Sequence, residues 1–434
     1  MGGARSVLID ISPLRVSAPF RRIFVARLIS LIGIGLLLVS VPVQMFDLTN
    51  SSAHVGAASA VTGITTFVGM LIGGSLADRF DRKRLILIGR SAAAVCFALL
   101  AINAFGTIPG TPSVVALYVV AGVNGLIGSL STSALMAAVP TLIPRDKLVA
   151  VGALSSLTVR IGSAVSPGIA GFIIAGARVE WAYVVAAVLA SMTALILLGL
   201  PSMPPSAPLS GDEPANPDRA APKESLITFI LGQRVVAGVM VVGVLAMVGA
   251  GVVALLPALV AERFASDARA TGLLYAAVAA GAMIAALTSG WLARVQRPGR
   301  LLLGALSAAF VVQILFGLAP VAWLAIGLLM VIGFVEAIQE VLRYAIIQRH
   351  TPGPMLGRVN GIWMAQEVGG VTVGALVAGV FGTIWVASDA IVYYGITMVV
   401  LSVVAAVALR SLAAVRKEAA PAAETTHAGR SAGQ

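Results

Sequence analysis

Twelve runs of mostly apolar sequence, each long enough to cross a bilayer as a helix, constrain this chain more than any other feature. They lie near residues 23–46, 54–77, 85–104, 113–137, 149–177, 181–200, 235–260, 270–293, 301–319, 322–347, 359–384 and 388–409. A helix needs about 20 apolar residues to cross a hydrocarbon core of roughly 30 Å. Lipid offers backbone amides no partners, so such runs must close their own hydrogen bonds and are read as helices. Composition agrees: 59% of the 434 residues are hydrophobic and 11% are charged, far from a soluble domain. The expected fold is an all-α membrane protein of twelve transmembrane helices, and the many Gly, Ala and Ser within the runs predict close helix packing.

The excess of 29 Lys and Arg over 18 Asp and Glu gives a net charge of +11. In a soluble chain that balance would suggest nucleic acid; here its distribution reads as topology. Arg178, Arg263 and Arg269 fall in connections on one side, Arg27, Arg90, Arg160 and Arg343 fall within spans, and every other Lys or Arg falls on the side of the N-terminus. The positive-inside bias then places both termini in the cytoplasm, with the chain in the inner membrane and no nucleic-acid partner. Cys96, the one cysteine, permits no intrachain disulfide. The basic N-terminal segment lacks the short apolar core and cleavage site of a signal peptide.

Residues 1–200 are expected to form one six-helix half and residues 225–410 a second. Between them, PSMPPSAPLSGDEPANPDRAAPKE (201–224) is rich in Pro and mixed charge and reads as a cytoplasmic linker. Residues 411–434 end in Ala, Thr, Gly and Ser and are expected to be a disordered tail. The halves resemble each other. Gly74, Leu76, Ala77 and Asp78 align without a gap on Gly290, Leu292, Ala293 and Arg294, and Gly162, Ser166 and Gly171 on Gly370, Gly374 and Gly379. Two matching stretches at near half-length point to a duplicated six-span unit, the plan of many secondary transporters.

The turn after the second run, GGSLADRFDRKR, is similar to the loop signature of the major facilitator superfamily, here Gly74, Asp78, Arg79, Arg82, Lys83 and Arg84. Span 5 carries Gly162, Pro167, Gly168 and Gly171, similar to the glycine and proline motif of antiporters in that superfamily, with Ser166 and Ala170 where glycine is usual. FVARLIS, VPVQ, LADRFDRKRLIL, LTVRIGSAVSP and MLGRVNGIWMAQ resemble stretches of its enterobactin exporter branch. The resemblance implies the superfamily fold and export of a siderophore. It also implies a tightly packed span 5 that limits leakage, and a contact of Asp78 with the positive N-terminal end of span 11 that locks the inner side shut in one state.

A charge inside the bilayer is costly and normally faces a partner or a watery cavity, so each such residue is a functional candidate. Glu336, Glu340 and Arg343 in span 10 share one helical face. Glu340 and Arg343 could pair and leave Glu336 to carry a proton; alternatively all three are structural. Glu367, beside Gln366 in span 11, lies about 13 Å beyond Arg358 by the helical rise. It reads as a proton carrier or as a hydrogen-bonded helix contact. Arg160 lies about 20 Å into span 5, and reads as a site for an acidic substrate or as a fixed ion pair with Glu336 or Glu367. Arg27 either faces the cavity or snorkels to the surface. Arg90 is expected to pair with Asp78 or Asp81, and Gln44 and Asp47, at the outer end of span 1, either to line the exit or, the simpler reading, to be solvated.

The chain shows no phosphate-binding loop, no enzyme signature, no metal set among His54, His350 and His427, and no implied cofactor. The expected activity is proton-coupled export of an enterobactin-like siderophore or similar phenolic or acidic metabolite by alternating access. The partners are a small molecule, protons and lipid, and the chain is expected to act as a monomer. A broad multidrug efflux antiporter is the alternative. A non-transporting sensor on the same fold and net uptake are further readings.

Overall fold

A computed structural model of the chain describes residues 12–110, 112–144, 147–204 and 226–416. Most of the linker expected at 201–224, and of the tail expected at 411–434, lies outside the described residues. Twelve helices are long and apolar enough to cross a membrane among the described residues. Spans 1 to 6 are Ala18–Thr49, Ser52–Ala77, Arg82–Phe105, Val114–Leu142, Leu148–Ala177 and Val179–Leu198. Spans 8 to 12 are Ala268–Thr288, Pro298–Gly317, Ala322–His350, Gly353–Ile384 and Ala387–Ala408.

Span 7 departs from the expected uninterrupted helix. It runs as α-helix over Arg234–Ala250, tightens to a 3-10 turn at Gly251–Leu255, and resumes over Leu256–Arg263. Pro257 has no amide hydrogen for the carbonyl four residues back. That carbonyl, on Val253, accepts from the Leu256 amide within the 3-10 turn and from the Tyr275 hydroxyl at 3.3 Å, and Val248 accepts from the Gly251 amide and from the Tyr394 hydroxyl at 2.6 Å. The tightened turn satisfies the break, as a bilayer interior requires, and two tyrosines from neighbouring spans reinforce it.

The first six spans pair as 1 with 5 and 6, 2 with 4, and 3 with 4 and 6. The same pairing recurs six spans later, as 7 with 11 and 12, 8 with 10, and 9 with 10 and 12. This is the two-half architecture expected from the internal repeat. Between halves, span 2 packs along span 11 and span 5 along span 8. Both contacts are tightest on the far face of the bundle, away from the chain ends. A side-chain carbon added at Gly56 would meet the backbone of Ala375 and Gly379, and one at Gly171 the backbone of Gly272. At the near ends of the same spans, added carbons at Gly152, Gly357 and Gly361 would meet nothing within 4 Å. The halves are in close backbone contact on the far face at Gly56 and Gly171, while these near-end glycines are open.

The near face also has a contact that the linker and tail expectations missed. Asp81 caps span 3, accepting from the amides of Lys83 at 2.8 Å and Arg84 at 3.4 Å, and it accepts a further bond from the Ser202 hydroxyl. The Arg82 amide donates to the Met203 carbonyl at 3.0 Å, and Met203 is buried. The linker thus begins as a strap across the span 2–3 turn. Slight burial raises the Asp81 carboxyl, but hydrogen bonds from Ser202, Met203, Lys83 and Arg84 outweigh it and hold the group below its usual range. The strap's electrostatic support is therefore complete above the ordinary carboxylate range and fades as pH falls through the depressed value. Asp81→Ala should lower the unfolding midpoint in detergent at neutral pH, at a cap cost of about 0.5–2 kcal/mol, with the difference shrinking in acid. Nor is the tail irregular from its first residue: Arg410–Ala413 form a short helix with Leu412 fully buried.

Candidate functional site

A cavity of about 400 Å³ lies between the halves, lined by spans 1 to 4, 7, 8 and 11. Its walls are mostly apolar, with Thr62, Thr66, Asn124, Tyr275 and Thr372 as polar points. A second cavity of about 280 Å³ lies wholly in the first half and shares Ile34, Thr62, Thr66, Phe97 and Asn124 with the first. It contains Arg90.

In the second half Arg343 is 2% exposed. Its Nη2 donates to Glu367 at 3.2 Å, and its guanidinium stacks 4.8 Å from the centre of the Trp363 ring. Gly243 makes room for this arrangement, since an added carbon there would press on Arg343 and on the Gln366 amide. The Gln366 amide in turn donates to the Met240 carbonyl and ties span 11 to span 7. Glu336, at the middle of span 10, lies within electrostatic reach of both Arg343 and Glu367. The expected pairing of Arg343 with Glu340 is not formed: Glu340 is exposed, and Arg343 reaches across to span 11 instead. A tertiary partner with an aromatic platform outcompetes an i, i+3 neighbour.

Among the described residues, the first half holds only cations at comparable depth. Arg90 Nη1 donates to the Ser30 hydroxyl at 2.5 Å, and Arg27, one turn before Ser30 on span 1, lies within electrostatic reach of Arg90. The expected pairing of Arg90 with Asp78 or Asp81 is not formed. Asp81 is engaged by the strap, and the Asp78 carboxylate is exposed with no hydrogen bond or ion pair among the described residues. Arg160 is half-buried and makes no ion pair with Glu336 or Glu367, so a fixed resting pair is excluded here. Gln44 is buried rather than solvated, accepting from the Tyr183 hydroxyl at 2.8 Å, while Asp47 lines a cleft with Arg178, Glu180 and Asp267.

The loop motif and the span 5 motif each divide by position. Gly73 packs on span 4 and Gly74 on nothing within 4 Å, so only the first needs to be small here; Arg79 and Arg84 are exposed and Arg82 and Lys83 half-buried. In span 5, Gly162 presses on Leu31 and Gly171 on Gly272, with the Pro167 carbonyl also against Gly272, whereas Gly168 has open space. Sequence reasoning missed Arg90 as a cavity residue and Trp363 as a partner of Arg343. Trp363 lies four residues before Glu367, on the same helical face, which was a readable signal.

A profile of the Major Facilitator Superfamily matches residues 23–339. The chain belongs to this superfamily. It is 41% identical over 381 residues to the enterobactin exporter EntS of Escherichia coli O1:K1, covering 87% of this chain and 88% of that protein. It is 40% identical over 400 residues to EntS of Citrobacter koseri, covering 91% and 93%. Among solved structures, the nucleoside transporter NupG superposes with a TM-score of 0.68 at 14% identity, covering 92% of this chain and 100% of that one. A bacterial homologue of the iron transporter ferroportin in an inward-facing state also superposes at 0.68 with 14% identity, covering 92% and 99%. At such low identity these structures share the fold alone. The chain is a multi-pass membrane transporter of the major facilitator superfamily.

Proposed function

We propose that this chain exports a catecholate siderophore of the enterobactin type, or a similar phenolic or acidic metabolite, across the inner membrane in exchange for protons. The observation that carries the reading is the 41% identity to an enterobactin exporter over 87% of the chain. The geometry supports a means of coupling. One guanidinium, Arg343, serves two mid-span carboxylates, Glu367 and Glu336. A single cation neutralises one of them, and the other needs a proton or a second cation to sit uncharged in apolar surroundings. Glu340, exposed one turn away, is a third group that could pass protons.

Transport is proposed to proceed by alternating access, with residues 1–200 and 225–410 rocking about the cavity, 201–224 linking them, and both termini in the cytoplasm. Arg160 and Arg27 would attract acidic groups of the cargo, and the bent, close-packed span 5 would limit leakage. The chain would act as a monomer. In proteoliposomes, an imposed pH gradient should drive substrate movement; export indifferent to the gradient would remove the proton from the mechanism. In iron-limited cells, loss of the protein should lower secreted catecholate and raise its internal level.

The apolar walls of the central cavity favour a second reading, broad efflux of unrelated lipophilic compounds. A strain lacking the protein would then become sensitive to several dyes and antibiotics while secreting catecholate normally.

A further inference from the structure

We propose that Arg90 and Arg27 form an oxyanion-binding niche in the wall of the first half. It takes the ionised carboxylate or phenolate of an aromatic ligand whose body lies in the apolar central cavity. The proposal rests on the transport reading above, but not on which metabolite is carried.

The niche follows from register. Arg27 and Ser30 are one turn apart on one face of span 1, and Ser30 accepts from Arg90 on span 3, so Arg90, which lines the cavity, reaches the face of span 1 that carries Arg27 and lies within its electrostatic reach. Arg27 lies nine residues beyond the start of span 1 at Ala18, and Arg90 eight beyond the start of span 3 at Arg82. By the helical rise both are about 12–13 Å inside their helices. Neither forms an ion pair among the described residues. Two like charges held together in a low-dielectric wall repel, and each has lost part of its hydration.

A purely structural clamp between spans 1 and 3 would be complete with Arg90 and Ser30 alone. The second arginine adds repulsion and no contact that the fold uses. An anion between the two removes the repulsion, and two planar guanidinium forks suit a carboxylate or phenolate oxygen. The surroundings agree. Thr62, Thr66 and Asn124 line both the niche and the central cavity, and Thr132 lines the niche beside Arg90. Thr66 and Asn124 supply hydroxyl and amide groups between the apolar chamber and the niche, while the Thr62 and Thr132 hydroxyls donate to Ala58 and Gly128 of their own helices. Glu336 and Glu367 lie in the other half and outside the lining of both cavities, so cargo oxyanion and proton would be held in different halves.

The full-length protein is delipidated by exhaustive washing in dodecyl maltoside, which carries no phosphate, and assayed for residual phosphorus, so that a lipid headgroup is excluded as the bound oxyanion. Calorimetric titration with 2,3-dihydroxybenzoate and with the neutral 2,3-dihydroxybenzamide, at neutral pH, then tests the niche. The parent should prefer the benzoate. Arg90→Gln should weaken the benzoate about tenfold or more, as loss of charge-assisted hydrogen bonds would, and leave the benzamide within about twofold. Arg90→Lys should recover part of the preference, since it keeps the charge but not the fork. No preference in the parent, or equal weakening of both probes, overturns the proposal. If Arg90→Gln does not yield a monodisperse protein, Arg27→Gln is judged by the same criterion. An Arg90-dependent preference in a protein whose loss leaves catecholate secretion unchanged would keep the niche and remove the siderophore. Changed secretion with no Arg90-dependent preference would do the reverse.

Discussion

Arg343→Met is expected to abolish proton-driven transport and to destabilise the protein more than Glu367→Gln does. Arg343 is buried, bonded to Glu367 at 3.2 Å, stacked on Trp363 and within reach of Glu336. Removing the cation leaves two mid-span carboxylates within electrostatic reach of each other. Breaking a fully buried pair from one side costs about 3–5 kcal/mol; here Glu367 is 39% exposed, and solvent reduces the cost below that range. Glu367→Gln is milder: the amide keeps an acceptor for Arg343, and Glu336 remains as counter-charge. The double variant Arg343→Met with Glu367→Gln should recover part of the lost unfolding midpoint, since the pair is then gone from both sides and only Glu336 is left without its cation. It should not recover transport driven by a pH gradient, because the cation against which a carboxylate exchanges its proton is gone. The checks are thermal unfolding in detergent and substrate uptake into proteoliposomes with an imposed gradient. Wild-type transport by Arg343→Met would show the cluster to be a structural brace.

Run length and local apolar content made the twelve spans legible, because a helix in lipid must satisfy its own backbone. The break in span 7 escaped notice because Gly249, Gly251 and Pro257 sit within an otherwise uniform apolar run. Its supports, Tyr275 and Tyr394, come from distant spans. The charged residues inside spans were equally conspicuous, yet their partners were not. Glu340 is near Arg343 along the helix and Asp81 near Arg90 along the chain, but each arginine turns to a neighbouring span instead. Partner choice is a tertiary property. Register alone could have paired Trp363 with Glu367 on one face, and it could have put Ser30 beside Arg27; it could not have brought span 3 against them.

Gly56→Val and Asp78→Asn should both reduce transport, and they should do so by shifting the protein in opposite directions. On the far face, the space at Gly56 is filled by the backbone of Ala375 and Gly379, which cannot rotate aside as a side chain can. Overpacking there costs about 1–3 kcal/mol in the arrangement observed and nothing where the far face is open, a shift of roughly five- to 150-fold in a two-state equilibrium. Asp78 has the reverse role. Its carboxylate is exposed and makes no hydrogen bond or ion pair among the described residues, so its proposed contact with the positive end of span 11 belongs to an arrangement in which the near ends come together. Asp78→Asn would weaken the closed near face and leave the observed arrangement favoured. Arg294→Gln, at the duplicated motif, should have a smaller effect: the second copy winds as a 3-10 turn and carries a cation where the first has the carboxylate. Ser52, buried on the far face against Gly382, reports the shift. In a Cys96→Ser background, Ser52→Cys should react faster with an impermeant maleimide when Gly56→Val is added and more slowly when Asp78→Asn is added. Equal labelling rates in the two variants would mean that the far-face contact and the loop motif do not bear on the same equilibrium.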